Sequence, residues 1–213
     1  FIQINNNNFE FQNAIYSNIL GEEIRLFEPI YYQVIEENGK IDYIIDKTPW
    51  NDLVYGLADV DNQDVELHID GIYRCNYQRW LSYRVFNIGK ASDEHTISFR
   101  HQSLVGENQV HPVFYRLDMG MFQDVITYLK NNAFEVSHFS DGNVEGRITV
   151  EEDGNILLTI PNERGWKAYV NGKRVNIKTG CNALIMLPVE QGENSVKLIY
   201  QLPYLKLGTV ISI

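Results

Sequence analysis

The stretch GWKAYVNGK, residues 165–173, places the dipeptide Asn171-Gly172 directly after a strand-like segment. Asn-Gly pairs favour the type I′ turn, because both residues adopt positive φ at little cost, and this turn joins two antiparallel strands without splaying them. The sequence therefore predicts a β-hairpin with a two-residue turn of positive φ at this point. The same prediction applies to Asn38-Gly39.

Similar turn signals divide the rest of the chain at close spacing. They are Asp70-Gly71, Asp141-Gly142 and Asp153-Gly154. Closely spaced hairpin turns between short apolar segments are typical of antiparallel all-β domains. We therefore expect a mainly β fold, built of two β-sandwich, jelly-roll-like units with two short amphipathic helices.

Two segments carry apolar residues at helical rather than strand spacing. In helix 10–20 the apolar face is formed by Phe11, Ala14, Ile15 and Ile19, an Asn precedes the helix as a cap, and Gly21 ends it. In helix 118–131 the face is formed by Phe122, Val125, Ile126 and Leu129, and Asp118 is the expected N-cap. Both faces are expected to pack in the core.

The second helix follows His111-Pro112 and precedes an unbroken series of strands, so it is a natural divider. We expect an N-terminal β-sandwich over residues 1–114, which contains helix 10–20. A C-terminal β-sandwich over residues 115–213 is preceded by helix 118–131.

The charge balance limits the partners. The chain has 18 Lys and Arg against 28 Asp and Glu, a net charge of −10. A surface of this sign repels phosphate backbones. Nucleic acid is therefore not expected as a partner.

The C-terminal segment 205–213, LKLGTVISI, is apolar, with Lys206 as its only charge. Apolar runs elsewhere, such as 183–189, are far shorter than the roughly 20 residues of a membrane-spanning helix. We expect the chain to be part of a longer protein in which residues 204–213 begin a membrane helix.

The sequence lacks the motifs of common catalytic sites, including a nucleophile elbow, a phosphate-binding glycine loop and the HExxH zinc motif. Five scattered histidines are expected to be exposed or locally hydrogen-bonded, and Cys75 and Cys181 to be free thiols. Adjacent carboxylates such as Glu151-Glu152 lie beside turn signals and are interpreted as solvated loop charge. We expect no catalytic residue, no metal ligand and no cofactor site in this region.

Aromatic residues make up 12% of the chain, and exposed aromatic rings on β-sandwiches stack against sugars. Trp80 and Trp166 lie in expected strands, where large aromatic residues usually fill the core. Only Trp50, in the loop Lys47-Thr48-Pro49-Trp50, is placed for exposure. Trp50 is therefore the candidate carbohydrate contact.

The C-terminal half contains the stretch 165–173, then Leu187-Pro188-Val189 with Gly192, then Tyr200, Pro203 and the segment 205–208. This series resembles the C-terminal end of the bacterial YfhO membrane-protein family. Further positions are also similar to that family: the segment 9–13, Tyr115, Leu117-Asp118, the segment 139–141 and Gly146. The sequence departs from the family pattern at Asn8, Asn194, Leu202 and Tyr204. These differences affect turn geometry rather than a catalytic or binding group.

The resemblance implies a multi-pass membrane protein similar to glycosyltransferases that modify lipoteichoic acid or other cell-surface polymers. This region would then be a non-catalytic domain on the extracellular face of the cell membrane. Its partners would be the membrane-embedded part of the same chain and a cell-surface polymer or glycan. Two other interpretations stay open: a stand-alone β-sandwich module that binds cell-wall carbohydrate, and a structural spacer.

Overall fold

The computed structural model describes residues 7–37, 40–60, 65–77, 84–100 and 110–203. In these ranges the fold is mainly β, with two helices and antiparallel strand pairing throughout. This confirms the predicted fold class. The chain divides into two compact units, 1–125 and 126–213.

The first unit contains α1, the first nine strands and the start of α2. Their bounds are α1 Asn8–Leu20, β1 Phe27–Pro29, β2 Gln33–Glu37, β3 Lys40–Ile45, β4 Leu53–Val60, β5 Val65–Ile69, β6 Ile72–Tyr77, β7 Phe86–Lys90, β8 His95–Arg100, β9 Val110–Leu117 and α2 Met119–Asn131. The strands form two sheets, of order β1-β9-β4-β7 and β2-β3-β8-β5-β6. Both sheets contribute to one apolar core that includes Val54, Leu67, Ile97 and Phe114. Two sheets that share one core form a sandwich.

The second unit contains the remaining eight strands. Their bounds are β10 Glu135–Ser140, β11 Asn143–Val150, β12 Gly154–Pro161, β13 Trp166–Val170, β14 Lys173–Val175, β15 Lys178–Gly180, β16 Leu184–Val189 and β17 Gly192–Tyr200. A five-stranded sheet of order β10-β11-β17-β13-β14 faces a three-stranded sheet of order β12-β16-β15. The core between them includes Ile156, Ile185, Leu187 and Leu198. This unit is therefore also a two-sheet sandwich.

The helix ends follow the sequence signals. Asn7 caps α1, since its side-chain oxygen accepts hydrogen bonds from two backbone N–H groups of the first turn, and Gly21 ends the helix at φ 73°. The Asp118 carboxylate accepts from the Met121 N–H at 2.9 Å at the start of α2. Cap and stop residues were thus correctly predicted, and the helix bounds agree to within two residues.

The buried face of α1 differs from the predicted one. Phe9 and Asn13 are its buried residues, whereas Ile19 is 39% exposed. In α2 the predicted stripe is correct, with Val125 buried at its centre. The apolar pattern located α1 but not its inward face, because a buried polar residue occupies the centre of that face.

The hairpin prediction at Asn171-Gly172 is confirmed, with φ values of 51° and 75°. The turn Asp70-Gly71 has the same geometry, at 54° and 75°. Asn38-Gly39 lies outside the described residues.

The division between the units falls inside α2, after Val125. The strand Val110–Leu117 pairs with β1 and β4, so residues 115–117 belong to a sheet of the first unit. Across this division the charge is uneven. Residues 1–125 hold 9 basic and 19 acidic residues, while residues 126–213 hold 9 of each. The whole net charge of −10 therefore belongs to the first unit.

Along the described ranges, neither helix is long and apolar enough to cross a membrane. The segment 204–213, predicted to begin a membrane helix, lies outside them.

Candidate functional site

The outer face of the five-stranded sheet in the second unit carries a groove with polar, charged and apolar lining residues. Successive strand residues point to opposite faces. On β17, Val196 and Leu198 are buried in the core, so Ser195, Lys197 and Ile199 point outward. The sequence pattern of this strand thus separates a core face from a solvent-accessible face.

The strand register brings four outward side chains into one row across the sheet. Glu145 on β11 pairs with Lys197 on β17, Lys197 pairs with Tyr169 on β13, and Tyr169 pairs with Arg174 on β14. Directly opposed residues lie about 5 Å apart at their Cβ atoms. The row therefore sets an aromatic ring between two cationic side chains.

The groove beside this row has a volume of about 500 Å³. Its lining includes Tyr169, Glu145, Arg147, Lys197 and the residues Ser137 and Ser195. This size lies within the usual range for small-ligand sites. Hydroxyl and charged groups around one aromatic ring suit a hydroxyl-rich ligand such as a sugar.

Glu145 is held in its charged form. Lys197 Nζ donates to its carboxylate at 2.6 Å, and the Asn143 side-chain amide donates at 3.1 Å. The hydrogen bond from Lys197 is the main reason that the pKa of Glu145 is lowered. Arg147 lies 3.5 Å from Glu193, which leaves the Arg147 guanidinium loosely paired and 69% exposed at its side chain.

Trp50, the predicted carbohydrate contact, lies in the first unit and is 51% exposed. The Arg116 guanidinium carbon lies 4.2 Å from the centre of its ring, a cation–π contact. The Trp50 backbone N–H donates to the Thr48 hydroxyl at 3.4 Å. The ring is therefore accessible and held in position, and its role as a sugar contact stays a prediction.

Arg116 is itself held by two carboxylates. It donates to Asp52 at 2.6 Å and to Glu28. Burial by itself would lower the pKa of Arg116, but its hydrogen bonds to the Glu28 and Asp52 carboxylates raise it. Asp52 also accepts from the Met119 N–H at 3.1 Å and is 7% exposed. This ion-pair cluster was not predicted, because its members come from three distant parts of the sequence.

The family-like residues of the N-terminal half meet in the structure. The Phe9 ring stacks on the Tyr115 ring at 4.6 Å between centres. The Tyr115 hydroxyl donates to Glu10 at 2.9 Å and accepts from the Asn7 amide at 2.8 Å. Asn13 donates to the Phe27 carbonyl at 2.8 Å and accepts from the Phe27 N–H at 2.9 Å. These residues therefore attach α1 to the first sheet.

The family-like residues of the C-terminal half also have structural contacts. The Trp166 and Tyr200 rings lie 5.0 Å apart between centres. Gly165 has φ 122°, and a Cβ atom there would lie 2.5 Å from the Gln201 carbonyl oxygen. Only glycine fits this close approach of two chain segments.

The histidines are placed as predicted where the structure describes them. His95 is buried, with its ring nitrogens 3.0 Å from the Asp70 carboxylate and 2.9 Å from the Lys90 carbonyl oxygen. His68 lies 3.0 Å from Glu66. His101 lies outside the described residues. Among the His, Cys, Asp and Glu side chains that are described, no group of three is arranged to hold a metal ion.

Comparisons with known proteins identify the family. The family model "Bacterial membrane protein YfhO" matches residues 1–212. The "Uncharacterized protein YfhO" of Bacillus subtilis (strain 168) is 36% identical over 64 residues, which are 30% of this chain and 7% of that protein. The match thus spans only a small part of that relative's length.

Among solved structures, a conserved protein of unknown function from Pseudomonas aeruginosa PAO1 aligns with 83% of this chain and 93% of its own, at 8% identity and a TM-score of 0.24. A similarity this low does not support a shared fold. The family match, in contrast, covers nearly every residue, and the chain therefore belongs to the YfhO family of bacterial membrane proteins.

Proposed function

We propose that this region lies on the extracellular face of a membrane glycosyltransferase and holds a cell-surface polymer while the membrane-embedded part of the same chain modifies it. The observation that carries the proposal is the groove on the second unit, which is lined by Tyr169 together with the cationic residues Arg147 and Lys197. An aromatic ring offers a stacking surface for a sugar ring, and the cations suit the phosphates of a polymer such as lipoteichoic acid.

The charge distribution supports the choice of the second unit. A polyanionic polymer is repelled by the first unit, which carries the whole net charge of −10, and not by the second, which is neutral overall. Within the groove, Glu145 neutralises Lys197, while Arg147 is only loosely paired with Glu193. Arg147 is therefore available to a phosphate.

Binding of deacylated lipoteichoic acid to the 213-residue chain tests this function by isothermal titration calorimetry. Replacing Tyr169 by alanine should weaken binding about tenfold, because it removes the stacking surface. The matched control is Tyr128→Ala, since Tyr128 is an exposed tyrosine of the same unit and does not line the groove. Equal affinity for the wild type and the Tyr169 variant, or no binding by the wild type, would rule out this site.

A second candidate function rests on Trp50. Its ring is half exposed and fixed by Arg116, an arrangement that suits sugar stacking in a carbohydrate-binding module. In that case Trp50→Ala, rather than Tyr169→Ala, should reduce the affinity for glycan.

A further inference from the structure

At one end of the second unit, the β10–β11 turn and the β12–β13 connection lie beside the end of strand β17. The Tyr200 N–H donates to the Gly142 carbonyl at 2.7 Å, and the Gln201 N–H donates to the Gly165 carbonyl at 2.9 Å. Residues 139–142, 162–167 and 200–203 therefore lie together. We call this surface the exit end, because the chain leaves the last strand there.

Large apolar side chains are exposed at the exit end. Phe139 is 75% exposed and Leu202 is 60% exposed. The rings of Trp166 and Tyr200 contact each other at the same end and are half-buried. Exposed apolar side chains beside Trp and Tyr are typical of surfaces that contact a membrane interface.

The charges separate the two ends of the unit. The exit end carries Arg164 and Lys167 together with Asp141 and Glu163, so its charges cancel. At the other end Val150 pairs with Gly192, about 24 Å along the sheet from the pair of Asn143 with Ile199. The turns at that far end hold the exposed carboxylates Glu151, Glu152, Asp153 and Glu190.

The far-end turns are adjacent, since the Gln191 N–H donates to Asp153 at 2.8 Å. Four carboxylates at one end are repelled by an anionic surface, whereas the apolar and neutral exit end is not. The unit should therefore turn its exit end toward an anionic bilayer. Pro203 is followed in the sequence by the apolar segment 205–213, in which Lys206 is the only charge.

We infer that the exit end docks on the surface of a lipid bilayer with anionic headgroups, with Phe139 and Leu202 entering the interface and Arg164 and Lys167 lying among the headgroups. This contact orients the second unit on the membrane. It does not depend on polymer binding in the groove, and it would persist if the proposed function were wrong.

Co-sedimentation of the 213-residue chain with vesicles of equal parts phosphatidylglycerol and phosphatidylcholine tests this contact. The double variant Phe139→Ser/Leu202→Ser should partition about tenfold less, because each buried apolar side chain contributes favourably to transfer from water. The matched control Ile72→Ser/Tyr73→Ser removes two exposed apolar side chains of the first unit, 59% and 51% exposed. Circular dichroism should show that both double variants are folded.

Partitioning that is equal for the wild type and Phe139→Ser/Leu202→Ser would overturn the inference. A further variant, Ile211→Asp, separates the effect of the C-terminal segment. Loss of binding in Ile211→Asp without loss in the Phe139/Leu202 variant would show that the segment alone binds lipid. A direct readout comes from a tryptophan introduced at position 139 or at position 72. Brominated lipids should quench the fluorescence that Phe139→Trp adds to the wild-type signal, and should not quench the fluorescence that Ile72→Trp adds.

Discussion

Replacing Gly165 by alanine is expected to lower the free energy of unfolding of the second unit by about 3 kcal/mol. The added methyl group would lie 2.5 Å from the Gln201 carbonyl oxygen and 2.9 Å from the Tyr200 ring, and the backbone has φ 122°. Because one of these neighbours is main chain, the clash cannot be relieved by a rotamer change. Urea unfolding followed by circular dichroism measures the loss.

Gly154→Ala is the matched control for this change. Gly154 begins β12, has no positive φ, and an added Cβ atom would meet nothing within 4 Å. This variant should change stability by less than about 0.5 kcal/mol. Equal stability of the two alanine variants would show that residues 165 and 201 do not approach each other this closely.

Asn13→Ala should lower the free energy of unfolding of the first unit by about 3 kcal/mol. The Asn13 side chain satisfies both the N–H and the carbonyl of Phe27 at a buried position. Alanine leaves both backbone groups without these partners and opens a small cavity beside them. Urea unfolding also measures this loss, and hydrogen exchange at the Phe27 amide should accelerate.

Asn18→Ala on the same helix provides the comparison. Asn18 is exposed, and its amide donates to the Ala14 carbonyl one turn earlier, at 2.6 Å. Alanine has the higher helix propensity, so this variant should be neutral or slightly more stable. If Asn13→Ala behaves like Asn18→Ala, the side chain of Asn13 does not attach α1 to β1.

Local signals in the sequence predicted much of the fold. Asn171-Gly172 adopts the expected turn, and the end of α1 at Gly21 follows from a residue that tolerates positive φ. The burial of Asn13 could not be predicted, because its partner Phe27 is fourteen residues away and a helical pattern treats asparagine as a surface residue.

The groove was not predicted for a topological reason. Tyr169, Glu145 and Lys197 each stand at an outward position of an alternating strand, which the sequence does indicate. These three side chains become neighbours only through the strand order β11-β17-β13, in which β17 lies between two strands that precede it in the chain. Such long-range pairing leaves no local pattern.

Several family-like residues build the fold, whereas Tyr169, in the family-like stretch 165–173, lines the groove. Phe9, Asn13 and Tyr115 pack α1 on its sheet, and Gly165, Trp166 and Tyr200 join the ends of two strands. The resemblance therefore rests both on positions that build the sandwiches and on Tyr169 of the groove. The predicted sugar contact Trp50 and the groove are separate features, one in each unit, and they make competing predictions about where a polymer binds.

Mapping of deacylated lipoteichoic acid on the ¹⁵N-labelled chain by NMR tests the central claim most directly. The proposed function predicts concentration-dependent shifts at Glu145, Arg147, Tyr169, Ser195 and Lys197, with the amides around Trp50 unchanged. Shifts confined to the Trp50 loop, or no shifts at millimolar polymer repeat units, would contradict it.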